Sequence, residues 1–386
     1  MRMSTNFRTI TNFTEFLRLK EAWNDLVRNT EVDHAFMRHE WFECWIKYLG
    51  DPGRISVITG WSNDQLVFIA PLQIVPTKVG GLPIKSLTFL MSHITPRCNF
   101  IVHPMCQADE IFNQVLHHPG WGLMNLRGME EDKNVTRRFI SFLEQKRSNR
   151  FEVEQARKSP YVIVEGNWND YLSGLTRKHR KNINQGLNRI SKLESCSLEK
   201  CNDYQGIEKV FDDVLGISDR SWKKAGGSSI GAVPNLSSFY REFCRLGEKD
   251  NLWELRLLRA ENKYVAFNFF LKEGNRLSGI RTDYDDEYRY YGPGQIMILL
   301  TLRELFEDGR QWEFDMGGMA SDFKLDWTDK TRNHIDIMAT APGYKGELLA
   351  FGKRKILPFV RRMRGLWADG KGKSMEIPPP HNSLEP

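Results

Sequence analysis

The sequence has little of what marks exported, membrane-embedded or metal-clustered proteins. Its six cysteines (Cys44, Cys98, Cys106, Cys196, Cys201, Cys244) form no C-x-x-C pair and no dense framework. That usage points to reduced thiols in a cytosolic compartment and offers no metal site. No uncharged run approaches bilayer-spanning length, and the opening MRMSTNFRTITNF lacks an apolar core of the length a signal peptide needs. A cytoplasmic protein without a transmembrane segment is expected. No low-complexity block or short-period repeat is present. The charge excess is also small, +6 with a pI near 8.9, so composition pulls only weakly toward anionic partners and nucleic acid is not expected on this ground.

What the chain does have is material for packed cores. It holds 386 residues, 40% of them hydrophobic, with 11 Trp and 23 Phe, which suits two globular modules. Phe16, Leu19, Trp23 and Leu26 recur on one helical face, and Trp41 and Trp45 fall one turn apart on a helix over 39–49. Strand-like stretches at 54–60, 65–76, 86–91, 99–102 and 122–127 alternate with helices over 109–117 and 135–145, an α/β signature. Strands over 151–155 and 161–164 lead to a boundary at Glu165. The expected organisation is a module over 1–165, a second over 166–345, and a basic amphipathic helix with a flexible tail over 346–386.

The second module opens with a long amphipathic helix. Leu172, Leu175, His179, Ile183, Leu187, Ile190 and Leu193 share one face, and the other carries the basic run 177–181 (RKHRK). His179 therefore reads as a packed histidine, and the basic run as a solvated face that could also grip a phosphate. Helices follow over 207–217 and from Asn235, the latter reading as an N-cap. A three-strand meander over 252–259, 264–271 and 276–284 then enters a tyrosine-rich loop, a helix over 294–307 and a strand over 311–314. A strand, helix, strand unit of that length implies parallel pairing. The last strand is expected over 333–339.

The stretch RYYGPGQIMILLTLREL from Arg289 carries the chemistry. It sets Gly292 and Gly294 between a strand and a helix N-terminus, where unpaired amides and the helix dipole favour an anion such as a pyrophosphate. Glycines in turns also serve purely conformational needs, so the pair alone is weak evidence. The full spacing Arg289-x-x-Gly292-x-Gly294 after a meander resembles the acyl-CoA loop of the GNAT superfamily. Further pieces extend the likeness: AWNDLV at Ala22, FMRHEWFECW at Phe36, APLQIV at Ala70, TRKHRKNINQGLNRI at Thr176, YGPGQIMILLTLRELFEDG at Tyr291 and EFDMGGMASDFKLDW at Glu313. In that order they resemble the CelD-like acetyltransferases of cellulose and exopolysaccharide biosynthesis, relatives of the FemAB-like proteins.

The resemblance implies tandem GNAT-like modules, each a mixed, mostly antiparallel sheet with flanking helices. The first module, which has no Arg-x-x-Gly-x-Gly, would be non-catalytic. It implies acetyl-CoA or another acyl-CoA as donor, no metal, and an amine or hydroxyl acceptor on a small molecule or glycan. The donor would be held by Arg289, Tyr290, Tyr291, Gly292, Pro293, Gly294 and Gln295. Its acyl chain would enter a wedge between 277–284 and 311–315. Asp283 and Asp315 are the candidate bases, Lys324 a further catalytic candidate, and Tyr284 or a neighbouring tyrosine a candidate proton donor to the departing thiolate. Where the family has a Tyr-Lys pair this chain has Phe323 before Lys324. Two alternatives stay open: aminoacyl transfer from tRNA, as in FemAB-like relatives, and a non-catalytic binding module in a polysaccharide assembly. Trp41, Trp45, Trp61 and Trp222 could stack on sugars but read first as core, and the basic tail around Pro358 could rest on a membrane surface.

Overall fold

The structure, a computed structural model, describes residues 5–79, 82–92, 94–146, 151–193 and 195–341. The basic helix and tail expected over 346–386 lie outside them. Strand β1 (Asn6–Ile10) precedes helices α1 (Phe13–Leu17), α2 (Lys20–Arg28) and α3 (His39–Tyr48). Strands β2 (Val57–Ser62), β3 (Gln65–Ala70), β4 (Leu72–Val79), β5 (Leu82–Phe89) and β6 (Ile101–Val102) follow, then α4 (Ala108–Leu116), β7 (Leu123–Glu130) and α5 (Asn134–Gln145). The long β8 (Phe151–Val164) leads to α6 (Trp168–Gly174), α7 (Arg177–Ile190), β9 (Cys196–Cys201), α8 (Tyr204–Arg220) and α9 (Leu236–Gly247). The meander β10 (Trp253–Ala260), β11 (Lys263–Glu273) and β12 (Arg276–Tyr284) enters α10 (Pro293–Glu307), β13 (Trp312–Asp315), α11 (Asp322–Leu325) and β14 (Thr331–Thr340).

Most expected elements form, and the departures have local causes. The strand expected over 65–76 splits into β3 and β4 at Pro71, which has no amide to offer a ladder. The helix expected through 172–193 breaks into α6 and α7 after Gly174, and Thr176 caps the new start by accepting the His179 amide at 3.2 Å. Asn235 does precede α9, but it sits in the left-handed region with no side-chain cap. The two strands expected over 151–164 are one continuous β8.

Fold class follows expectation: mixed α/β, with large mixed sheets flanked by helices. A four-stranded sheet runs β1-β2-β3-β6, and a ten-stranded sheet runs β4-β5-β7-β14-β8-β13-β12-β11-β10-β9. Two neighbouring pairs in the large sheet are parallel, β5 with β7 and β12 with β13, and each pair is bridged by a helix, α4 or α10. The pairing pattern from β4 to β11 is therefore mirrored around the antiparallel pair β14·β8, and β10 and β9 extend one side. Strand β8, which ends the first half, pairs with β13 of the second, while β14, the last described strand, pairs with β7 of the first. Each half thus completes the other's sheet.

Packing and charge reinforce this exchange. Trp41 on α3 lies edge-on to Phe239 and Phe243 of α9, with centroids 5.0 and 5.2 Å away, so one hydrophobic cluster spans both halves. Beneath the β14·β8 pair sits a buried ionic layer. Arg97 reaches Asp315 at 2.5 Å and Glu130 at 3.4 Å, and Arg332 on β14 reaches Asp315 at 3.3 Å and Glu313 at 3.0 Å. Truncating one member leaves its partners charged and dry, which costs about 3–5 kcal/mol. Arg97→Met should therefore lower unfolding free energy by about 3–5 kcal/mol in urea titrations, with part of the loss recovered in Arg97→Met, Asp315→Leu. A loss under about 1 kcal/mol for the single variant would show that the layer does not join the halves.

Candidate active site

The candidate site forms where β12 and β13 stop pairing. Their ladder holds for Arg276↔Glu313, Leu277↔Phe314 and Ser278↔Asp315 and then ends, while β12 continues to Tyr284 against β11 alone. Beyond the ladder β12 carries a bulge, since Phe269 and Phe270 pair with Arg281 and Gly279 and leave Ile280 extra. Such a bulge bends its strand locally, here just past the point where the parallel ladder ends.

The expected wedge walls therefore need correction. Residues 277–278 and 314–315 are zipped together, so the opening begins later. Its second wall is the loop after β13, not β13 itself. At Gly317, with φ of +60°, the chain passes so close to the Gly279 carbonyl that any Cβ would overlap it. Only glycine permits this crossing.

Lys324, on α11, reaches back to the Gly317 carbonyl. Burial lowers its ammonium, the Asp315 charge raises it and the Lys223 charge lowers it, and the balance is about 8. Lys223 approaches from the opposite side, where its Nζ lies 2.5 Å from Asp283 and the same distance from the Thr282 carbonyl. Lys324 from α11 and Lys223 from the segment after α8 thus both approach the point where the strands part.

Those aspartates are not free carboxylates. Asp283 is 1% exposed and accepts from Ser218 Oγ at 2.7 Å and Arg281 Nε at 2.8 Å besides pairing with Lys223. Asp315 is fully buried; burial pushes its carboxyl up, but Arg97 and Arg332 more than offset this, to about 2. Its other oxygen takes the Gly317 amide at 2.8 Å. Both had been expected to face the cleft as bases, and both instead hold the cations that shape it. Both carboxylates are buried and already engaged by cations.

The loop between β12 and α10 holds the rest of the expected set. Gly292 caps α10 in the left-handed region, and Pro293 occupies the first turn, where a missing amide is harmless. The amides of Gln295 and Ile296 return to the Gly292 carbonyl, so Gly294 is the first-turn donor not used in this way. Space in front of Gly294 is open, the nearest atom to a built Cβ being Phe323 Cζ at 4.0 Å. Arg289 and Tyr290 are exposed, and Tyr291 packs half-buried between Tyr288 and Tyr290. The Gly294 amide suits an incoming anion, and Arg289, in the same loop, has its Nε 3.5 Å from Asp286. Tyr284 is half-buried at the end of β12, near Arg289. Of the expected residues, the fold gathers Asp283, Asp315 and Lys324 at the strand opening, and the 289–295 loop at the start of α10.

His179 is a packing residue, 2% exposed and edge-on to Trp327 at 4.5 Å. Sequence reasoning passed over Lys223, Ser218 and Arg97. Lys223 lies in a polar stretch without periodicity, although the pair Trp222-Lys223 just past a helix was a usable signal. A cavity of about 300 Å³ lies elsewhere, at the C-terminal end of α10, lined by Lys200, Glu254, Arg256, Glu304, Asp308 and Arg310. Its charges neutralise each other, with Arg256 bound to Glu254 at 2.6 Å and Glu304 at 2.9 Å.

Residues 177–325 match the acetyltransferase (GNAT) domain family. This GNAT stretch contains the β12/β13 opening, the 289–295 loop and Lys324. No curated protein matches the chain. Among solved structures, FemX is 12% identical with a TM-score of 0.52, the match covering 86% of this chain and 96% of FemX. L-PGS from Bacillus licheniformis is 15% identical with a TM-score of 0.50, covering 89% and 96%. A conserved protein from Bacteroides thetaiotaomicron VPI-5482 gives 10%, 0.52, 87% and 100%. At these identities the likeness is one of fold.

The two loop glycines should respond differently to a methyl group. Gly292→Ala forces an L side chain into the left-handed region and should destabilise the GNAT stretch by about 1–2 kcal/mol in urea unfolding. Gly294→Ala enters open space and should shift stability by less than about 0.5 kcal/mol. Equal losses would mean that the turn is not as described.

Proposed function

We propose that the protein is an acyl-CoA-dependent acyltransferase that moves an acetyl group to an amine or hydroxyl of a sugar or polysaccharide precursor. The observation that carries this reading is the parallel pair β12/β13, which parts at Ser278 and Asp315 beside a glycine-initiated helix, within a stretch matching the GNAT family. The Gly294 amide and Arg289 suit the donor's pyrophosphate. Its thioester would lie in the opening between 279–284 and the 316–324 loop. On this reading the second module is catalytic and the first, which lacks the loop motif, is not; the likeness to CelD-like proteins carries the polysaccharide context.

Lys324 is the proposed base. An amine near 8 is partly neutral at physiological pH and well matched to proton transfer there. The acceptor's nucleophile attacks the thioester carbonyl, its proton passes to Lys324 Nζ, and the thiolate leaves and is reprotonated, with Tyr284 the nearest proposed donor. Asp283 and Asp315 act as positioning residues by holding Lys223, Arg97 and Arg332. Trp222 supports a sugar acceptor: it is 52% exposed beside Lys223, whereas Trp41 and Trp45 are core. An open indole face suits the C–H face of a sugar ring.

One observation favours a second reading with an aminoacyl-tRNA donor. Arg177, Lys178 and Lys181 on α7 are exposed, and α7 runs past the loop, with Arg189 Nη1 donating to the Tyr290 carbonyl at 3.2 Å. Binding to RNA would then fall steeply with salt, whereas thioester binding would not.

Thiol release from acetyl-CoA with a panel of sugar and amine acceptors tests the leading reading. The rate should rise with pH and level off above about 8, because Lys324 is protonated and inactive below that point. Lys324→Met should lower the rate by about 10²–10⁴-fold and abolish the rise. Wild-type rate and profile in that variant would remove Lys324 as base, and no release with any acceptor would overturn the enzyme.

A further inference from the structure

Tyr290 presents an aromatic ring to solvent beside the donor site. It is 65% exposed, whereas Tyr288 and Tyr291 in the same loop are buried and half-buried. Its place is nonetheless fixed. The Arg189 guanidinium, from the last turn of α7, lies over the ring with Cζ 4.6 Å from the centroid, and Arg189 Nη1 donates to the Tyr290 carbonyl at 3.2 Å. Tyr291 meets the ring at 79° with centroids 5.5 Å apart. The acids of this region are engaged: Asp285 pairs with Arg220 at 2.6 Å, Asp286 with Arg289 at 3.5 Å and Glu287 with Lys263 at 3.6 Å, and Glu261 accepts from the Tyr288 hydroxyl at 2.9 Å. Among the described residues no carboxylate pairs with Arg189, and Lys192, close by in sequence, is exposed.

A ring backed by a guanidinium and otherwise open suits a flat partner, and a cation without a carboxylate beside it suits one that carries phosphate. The acceptor is not placed to be that partner. It must meet the thioester at the β12/β13 opening, on the side of Gly294 where Phe323 stands, whereas Tyr290 lies on the α7 side of the loop. Tyr290 precedes Gly294 by four residues, which is about 14 Å of chain at most, so a nucleotide whose pyrophosphate rests on the Gly294 amide has its base within reach of the ring. We propose that Tyr290, backed by Arg189, is a stacking platform for the adenine of the donor, an inference that rests on the nucleotide-bearing donor proposed above and carries it to the base. Adenosine ends both donors considered there, CoA and the 3′ terminus of a transfer RNA. The platform takes the base they share.

The test is titration calorimetry of the full chain and of its Tyr290→Ala and Tyr290→Phe variants. The probes are CoA, phosphopantetheine, which keeps CoA's thiol arm and has no adenosine, and the short RNAs pCpCpA and pCpC. Tyr290→Ala should weaken CoA about tenfold and change phosphopantetheine less than about twofold, and Tyr290→Phe, which keeps the ring, should bind CoA as wild type does. Arg189→Met serves if Tyr290→Ala misfolds, with a loss of about two- to fivefold expected for CoA and none for phosphopantetheine. The same pattern with pCpCpA against pCpC, and no binding of CoA, would keep the platform, assign its adenosine to RNA and overturn the acyl-CoA donor. CoA affinity unchanged in Tyr290→Ala would overturn the platform alone. Equal losses for CoA and phosphopantetheine would do the same, since Tyr290 would then only shape the loop. Binding of neither CoA nor pCpCpA to the wild type would overturn both the platform and the donor.

Discussion

Asp315 holds the molecule's two halves and its candidate site in one arrangement. It ends β13, takes Arg97 from the first half and Arg332 from β14, and orders the Gly317 amide that starts the loop to Lys324. Burying a carboxylate there is tolerable only because two guanidiniums and a backbone amide meet it. The same contacts fix where β12 and β13 separate, so the geometry of the opening depends on an interaction between segments distant in sequence. The shared ten-stranded sheet has the same character, since β8 and β14 each complete the half to which they do not belong.

This dependence explains why the two aspartates are better understood as holders of cations than as bases. Asp283 orients Lys223, Asp315 orients Arg97 and Arg332, and Lys324 is left between them with an ammonium weakened by burial. A site built this way tunes a lysine toward neutrality without exposing a carboxylate to the acceptor.

Much of the fold was legible because its signals are local. The apolar helix between two strand-like segments, with glycines at its start, correctly implied the parallel β12/β13 pair, and the Trp41 and Trp45 spacing correctly implied core. The burial of Asp315 was not legible, because its partner Arg97 lies 218 residues away and nothing near either residue announces the other. The wedge was placed too early for a related reason. Where a parallel ladder ends depends on the bulge at Ile280 and the close crossing of Gly317 over Gly279, which are properties of packed backbone and not of residue pattern. Short edge strands such as β1 and β9, whose exposed residues do not alternate with buried ones, carry no two-residue periodicity to be picked out.

The central claim is that the opening beyond Ser278 and Asp315 receives a thioester whose pyrophosphate rests on the start of α10. A crystal structure of the full chain with bound CoA tests it most directly. The account predicts pyrophosphate oxygens within hydrogen-bond distance of the Gly294 amide and the sulfur between the 279–284 strand and the 316–324 loop. Nucleotide density at the α10 C-terminal cavity, or a strand opening that stays filled by the protein's own side chains at saturating CoA, would contradict it.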